Sequence, residues 1–248
     1  YEINIGDWSS DVCSSDLMNA HWIDISTARG ETFSGYLSLP PTGRGPGIVL
    51  IQEIWGVNEH IRTLADQYAL DGYVVLAPDL FWRLERRVDL AYDEAGSARA
   101  RQLLQTVDGT QAAADVAAAV DVLRARPEVT GRVATLGYCF GGQMAFRAAA
   151  LARADAAVCY YGGGIAGHLD LAPRVTMPVL FHHAALDALI PQDAVAAIKA
   201  AFAGRSNAVL LDYPGVDHGF NCWGRPRYNQ QAAALAHGLT LEFLSQHL

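Results

Sequence analysis

The sequence predicts a mostly parallel, doubly wound α/β sheet with helices on both faces and an antiparallel strand pair at its start. Two observations carry this. Six short runs are apolar at consecutive positions: GIVLIQE (47–53), YVVLAPD (73–79), RVATLGY (132–138), AAVCYYG (156–162), PVLFHH (178–183) and AVLLDYP (208–214). Strands read this way when both of their faces are buried, as in a parallel sheet. Between most of these runs, apolar residues recur at helical spacing, and strands alternating with helices build a sheet of this class.

The elements follow in order. In ETFSGYLSLP (31–40), Phe33, Gly35, Leu37 and Leu39 alternate with Ser34, Tyr36 and Ser38, the period of a half-exposed strand, and HWIDIST (21–27) is its expected partner. Ile61, Leu64 and Tyr68 mark a first helix, with Asn58 as its N-cap and Gly72 past its end. Val116, Val120 and Leu123 mark another, stopped by Pro127. Val195, Ile198 and Phe202 form a third stripe, and Leu235, Leu239 and Phe243 a C-terminal one. The stretch 83–106 is expected to be partly helical. With no internal repeat or linker, residues 18–248 read as one domain.

The first seventeen residues stand apart. Residues 7–17, DWSSDVCSSDL, back-translate in one frame to the end of a short-read sequencing adapter. They lack the cationic start and apolar core of a signal peptide. We read 1–17 as a non-native tail, expected to be disordered and to take no part in packing, and Met18 as the native start. Residues 1–17 hold four of the 26 acidic residues and none of the 18 basic ones, so the rest carries a net charge of −4. That balance gives no reason to expect nucleic acid or an anionic membrane as partner. No apolar run approaches the roughly 20 residues of a membrane helix.

Past the tail stand three cysteines, Cys139, Cys159 and Cys222. An odd count without a secretion signal argues against a disulfide framework, and a reducing cytoplasm suits a thiol that must stay free. Cys139 lies in TLGYCFGGQMAF (135–146), which reads as a strand, a tight turn and a helix start. In the G-x-nucleophile-x-G turn of α/β hydrolases, the flanking glycines relieve crowding and the central side chain projects above the sheet. Gly137, Cys139 and Gly141 fit this pattern, and the helix start beneath would favour a thiolate. The alternative for Cys139 alone is a buried structural cysteine.

A nucleophile needs a base, and the base an orienting acid. After Cys139 come Asp187, just past the run PVLFHH, and His218, just past AVLLDYP, in the order nucleophile, acid, histidine. Glu53 also falls at the carboxyl end of a predicted strand, where parallel sheets form their sites. Two other readings stand beside this one. His182 or His183 with Asp187 and His218 could ligate a metal, although neighbouring strand residues face opposite ways. A non-catalytic binding protein is the third reading.

The segments IVLIQEIWGVNEHIR, GYVVLAPDLFWR, VATLGYCFGGQMAF, PVLFHHAALDALIP and DHGFNC together resemble the dienelactone hydrolases, or carboxymethylenebutenolidases, over nearly all of 18–248. The resemblance implies an α/β-hydrolase fold and a cysteine-dependent hydrolase of a small lactone or activated ester. It implies Cys139 as nucleophile, with His218 and Asp187 completing a triad and Glu53 as the acid that contacts the resting thiol and helps remove its proton. It also implies an oxyanion hole from the backbone N–H groups of Ile54 and Phe140, and Arg83 as a binder of the substrate carboxylate. It implies no metal and no cofactor. The chain departs from the family's type members at Cys222, which stands where a second carboxylate-binding arginine is expected; Arg225 and Arg227 lie just beyond.

Overall fold

A computed structural model describes residues 19–151 and 153–248. The tail read as adapter-derived, 1–17, lies outside the described residues. Eight strands form one sheet: β1 (Asn19–Ser26), β2 (Thr32–Leu39), β3 (Gly45–Ile51), β4 (Val74–Pro78), β5 (Val129–Tyr138), β6 (Ala156–Tyr160), β7 (Val179–Ala184) and β8 (Ala208–Tyr213). Their order is β1-β2-β4-β3-β5-β6-β7-β8. β1 and β2 are antiparallel, β2 meets β4 antiparallel, and β3 through β8 run parallel. Each of the six apolar runs is one of these parallel strands.

Six α-helices cover the sheet: α1 (Glu59–Leu70), α2 (Glu94–Thr106), α3 (Gly109–Arg124), α4 (Phe140–Ala150), α5 (Gln192–Ala201) and α6 (Gln230–His247). A 3-10 segment spans Ile165–Arg174. Alternation along β3 shows how the two layers are fed. Val49 and Ile51 pack with Val116 and Val120 of α3 and with Met144 of α4. Ile48 and Leu50 pack with Ile61 and Leu64 of α1 and with Phe243 of α6. Asn58 caps α1 as its position suggests, its side chain accepting from the Ile61 N–H at 3.2 Å. Among the described residues no helix is long and apolar enough to cross a membrane.

One stripe differs from expectation. α6 buries Ala233, Ala236, Thr240, Phe243 and Leu244, whereas Leu235 is exposed. The helix is rich in alanine, so an inner face of small residues against the sheet outcompetes a face of leucines. In the 83–106 stretch, helix begins only at Glu94, where Asp93 accepts from the Gly96 N–H at 2.7 Å.

The two adjacent histidines of β7 are structural. Both nitrogens of His182 are bonded to hydroxyls, Nδ1 to Tyr213 at 2.8 Å and Nε2 to Thr240 at 2.9 Å. His183 faces the other way, its ring stacked parallel to Phe181. Burial holds His182 down from 6.5 to about 3, with the neighbouring His183 adding to the effect. The fold therefore keeps this imidazole neutral while the unfolded chain takes up a proton below pH 6.5. Its contribution is complete above that pH and is lost as pH falls toward the folded value. Stability is expected to drop by about 1–2 kcal/mol between pH 6.5 and 5 on account of His182 alone. Urea unfolding across that range, compared with His182→Gln, checks this; an unchanged pH slope in the variant would refute it.

Candidate active site

The carboxyl ends of β3, β5, β7 and β8 share one edge of the sheet, and the loops leaving them carry Glu53, Cys139, Asp187 and His218. Cys139 is the single residue between β5 and α4, with φ 57° and ψ −114°. A non-glycine residue with φ in this range is uncommon and strained. The flanking glycines are forced by close backbone approach. A Cβ on Gly137 would lie 2.1 Å from the Gly141 carbonyl oxygen, and one on Gly141 would lie 2.3 Å from that of Ile51. The turn is anchored by the Cys139 N–H, which donates to the Tyr160 carbonyl at 3.0 Å. Cys139 remains partly exposed while Cys159 and Cys222 are buried, and all three are free thiols.

His218 Nδ1 lies 2.7 Å from Asp187 Oδ2. The other Asp187 oxygen accepts from the Leu189 and Ile190 N–H groups at 2.8 and 3.0 Å. These two bonds fix the carboxylate beside the imidazole. Burial works against an imidazolium at His218. The charge of Cys139 and the Asp187 hydrogen bond outweigh it, lifting His218 to about 10. His218 Nε2 has no hydrogen-bond partner among the described residues, yet Cys139 is near enough for its charge to act on the ring. Tyr161, in the left-handed region at φ 34°, packs its ring edge-on against His218 at 5.0 Å.

Glu53 is almost fully buried, and burial raises its pKa although Arg225 and His218 pull it down. Its two oxygens are turned to Arg225 Nη1 at 3.3 Å and to the Tyr92 hydroxyl, which donates at 3.4 Å. Arg225 in turn lies over the Trp55 ring at 4.7 Å. The N–H groups of Ile54 and Phe140 donate to no acceptor among the hydrogen bonds of the described residues outside the helices and strands, and Phe140 opens α4, where an N–H has no intrahelical partner.

The structure does not bring Arg83 together with these groups. Its guanidinium stacks on Trp82 at 4.1 Å and pairs with Asp115 of α3 and with Glu31 at 3.0 Å. Two cavities that Arg83 lines contain none of Cys139, Asp187 and His218. Of the two arginines near Cys222, Arg225 enters the site, whereas Arg227 pairs with Asp217 at 3.3 Å and is exposed. The metal set drawn from His182 or His183 with Asp187 and His218 does not converge. Among the described residues, the metal-ligating side chains that do are Glu53, His60 and Cys222.

Three participants escaped the sequence reading. Tyr92 comes from the stretch that carried no periodic signal. His60 looked like an ordinary helix residue, and burial now holds it down to about 4, so it is neutral. Tyr161 follows β6 without any motif of its own. The glycine-flanked, positive-φ turn after β6 could have drawn attention to it only as loop.

The dienelactone hydrolase family profile matches residues 33–248. A carboxymethylenebutenolidase from Cupriavidus pinatubonensis is 33% identical over 224 residues, 90% of this chain and 95% of that protein. A carboxymethylenebutenolidase from Pseudomonas putida is 34% identical over 224 residues, again 90% of this chain and 95% of the relative. A crystal structure of a dienelactone hydrolase-like promiscuous phosphotriesterase from metagenomic libraries superimposes with a TM-score of 0.77 at 26% identity, covering 93% of this chain and 99% of that one. With the α/β-hydrolase sheet and a strained cysteine turn at its carboxyl edge, these likenesses make the chain a hydrolase that belongs to the dienelactone hydrolase family.

Proposed function

We propose that the chain hydrolyses a small lactone or activated ester bearing a carboxylate, through an acyl-thioester on Cys139. The observation that carries this is the 2.7 Å bond between His218 and Asp187, which orients an imidazole toward a thiol held in a strained turn. His218 Nε2 takes the Cys139 proton, directly or after Glu53 has received it. Sγ attacks the carbonyl carbon, and the developing oxyanion is received by the Ile54 and Phe140 N–H groups. The ring C–O bond breaks, and the leaving enolate oxygen takes the proton back from the imidazolium. Water then attacks the thioester with His218 as base, and the thiolate departs. An enolate is a good leaving group, so sulfur suffices for such a substrate.

The pair Arg225–Glu53 supplies a way to wake the thiol. A substrate carboxylate that takes the Arg225 fork leaves Glu53 buried without its cation, and an isolated buried carboxylate seeks a proton. In this reading Cys139 gives that proton. Arg225, in place of Arg83, is thus the carboxylate-binding residue of this reading. A reducing compartment such as the cytoplasm suits this free-thiol chemistry.

The test is hydrolysis of cis- and trans-dienelactone beside p-nitrophenyl acetate, which has no carboxylate. Arg225→Met is expected to lower kcat/KM for the dienelactones by about 10- to 100-fold, the scale of a charge-assisted bond. The change for p-nitrophenyl acetate is expected to be much smaller. Equal losses on both substrates would rule out carboxylate recognition by Arg225. Failure of the intact protein to cleave either would defeat the whole reading.

A further inference from the structure

Beside Cys139 and His218, three buried side chains from distant parts of the chain point at one another, and of these the hydrolysis just described uses Glu53 and leaves His60 and Cys222 without a part. A carboxylate oxygen of Glu53, a ring nitrogen of His60 and the sulfur of Cys222 all lie within 4.8 Å of one another. We infer that Glu53, His60 and Cys222 bind one thiophilic divalent cation, of which Zn2+ is the type, and that the bound ion holds Glu53 away from Cys139. The cation site stands on its own geometry; the inhibition rests on the role proposed for Glu53.

The donor set is the first argument. Carboxylate oxygen, imidazole nitrogen and thiolate sulfur are the ligands zinc selects, at roughly 2.0–2.3 Å. Ligand atoms around a tetrahedral ion then sit roughly 3.3–3.8 Å apart. The present spread is within about one side-chain rotation of that. The second argument is His60 itself. It is 4% exposed, and neither ring nitrogen has a hydrogen-bond partner among the described residues. Buried polar groups are nearly always partnered, so an imidazole with both nitrogens idle calls for a reason. Its ring is held edge-on by Trp223 at 4.1 Å, so packing fixes it without satisfying it. The third argument is access. A surface cavity of about 390 Å³ is lined by Asn58, His60, Asp89, Tyr92 and Trp223, which gives an ion a route to His60 from solvent.

Charge also balances. With Cys222 deprotonated, the set carries two negative charges against the two positive charges of the ion. Binding breaks the Cys222 S–H bond and forms an S–metal bond, and the proton leaves to the buffer with no change of oxidation state. Arg225, 3.3 Å from Glu53, opposes the ion and must give up its partner. That exchange is what ties occupancy to activity, because metal-bound Glu53 can no longer serve the thiol.

The experiment uses the reduced full chain. Zn2+ is titrated in competition with a chromophoric chelator, and Co2+ serves as a spectroscopic substitute whose thiolate charge-transfer band reports a sulfur ligand. One ion per chain is expected in the wild type and in Cys139→Ala. Affinity is expected to fall by more than the ~10- to 100-fold that losing an outer-sphere partner costs, in both Cys222→Ser and His60→Gln. The cobalt band is expected to vanish in Cys222→Ser and to persist in Cys139→Ala. Wild-type affinity no better than that of Cys222→Ser overturns the site, as does a band that depends on Cys139 instead. Having two separate ligand variants, each checked by thermal unfolding, guards against one that misfolds. Zn2+ is further expected to inhibit hydrolysis with the midpoint at which it binds. Tight binding by Cys222 and His60 without inhibition would overturn the role of Glu53 and leave the cation site standing.

Discussion

Replacing Cys139 with alanine is expected to lower kcat for dienelactone by on the order of 10⁴-fold or more, as loss of a nucleophile does where triad members act as a unit. The fold should be untouched. Cys139 is partly exposed, and alanine fits wherever the cysteine Cβ already fits, so the thermal midpoint should move little. The reason for so large a loss is that the rest of the site is built around the sulfur. Burial lowers the His218 pKa, and the Cys139 charge and the Asp187 hydrogen bond lift it to about 10, so removing the thiol takes away one of the two partners that raise it and leaves the imidazole with no thiol to activate. Water could still be activated by His218 and Asp187, and that pathway sets the residual rate. Cys139→Ser separates the two effects. Its hydroxyl keeps the shape and loses the readily formed anion, so activity should stay far below wild type. Rapid quench and intact-mass analysis should trap one acyl group on the wild-type chain during turnover and none on Cys139→Ala. Turnover by the alanine variant within tenfold of wild type would end the cysteine reading and favour hydrolysis by activated water.

That Cys139, Asp187 and His218 share one edge of the sheet could be read from the sequence because a parallel sheet simplifies geometry. Its parallel strands all end on the same edge, so a residue just past such a strand end is placed on that edge before strand order is known, and the order then sets how far apart two such residues lie, about 4.8 Å for each strand of separation. Cys139, Asp187, His218 and Glu53 all benefit from this rule. Arg83 and Arg225 do not. Both lie on irregular segments several residues past a strand, where reach depends on how the loop folds. The PDLFWR loop turns its arginine outward onto Trp82 and Asp115, while the turn after Cys222 folds Arg225 back over Trp55 to Glu53. The family resemblance assigned Arg83 to the site, where the structure does not bring it, and named Arg225 only as a neighbour of Cys222.

The same distinction runs through the scaffold. Predominantly apolar runs announce themselves, and all six are strands, although β8, expected to be buried on both faces, lies at the sheet edge with Val209 exposed. α6 was harder, since alanine contributes to either face and the leucines that seemed to mark its core side include the exposed Leu235. Residues 83–93 had no periodicity to read, since they are held by specific polar contacts. Asp79 accepts from the Phe81 N–H at 3.1 Å and the Arg87 N–H at 2.6 Å, and Arg87 takes the left-handed conformation at φ 54°. That loop delivers Tyr92 to Glu53, which is why the environment of the buried acid was invisible beforehand.

The glycines beside Cys139 allow a test of the claim that the turn is forced by backbone crowding. In Gly141→Ala the new Cβ would stand 2.3 Å from the Ile51 carbonyl oxygen and 2.6 Å from that of Gln52. Both are backbone oxygens, Ile51 at the end of β3 opposite Gly137 of β5 and Gln52 the residue after it, so neither can step aside as a flexible side chain would. α4 must shift away from β3 by an ångström or so. On the proposal that the Phe140 and Ile54 N–H groups receive one oxyanion, such a shift carries the first donor away from the second. A loss of about 3 kcal/mol in stability is expected, the upper range for overpacking, which for a chain of this size lowers the thermal midpoint by about 6–12 °C. A fall in kcat of about 10²-fold or more should accompany it in whatever fraction remains folded. Gly238→Ala is the matched opposite. Gly238 lies exposed in α6 with nothing within 4 Å of its would-be Cβ and no positive φ. Alanine there should stabilise by about 0.5–1 kcal/mol through helix propensity and leave kcat alone. Were Gly141→Ala to match wild type in both melting and turnover, the close approach of α4 to β3 would not be what shapes the turn at Cys139. The strain at Cys139 would then need another origin.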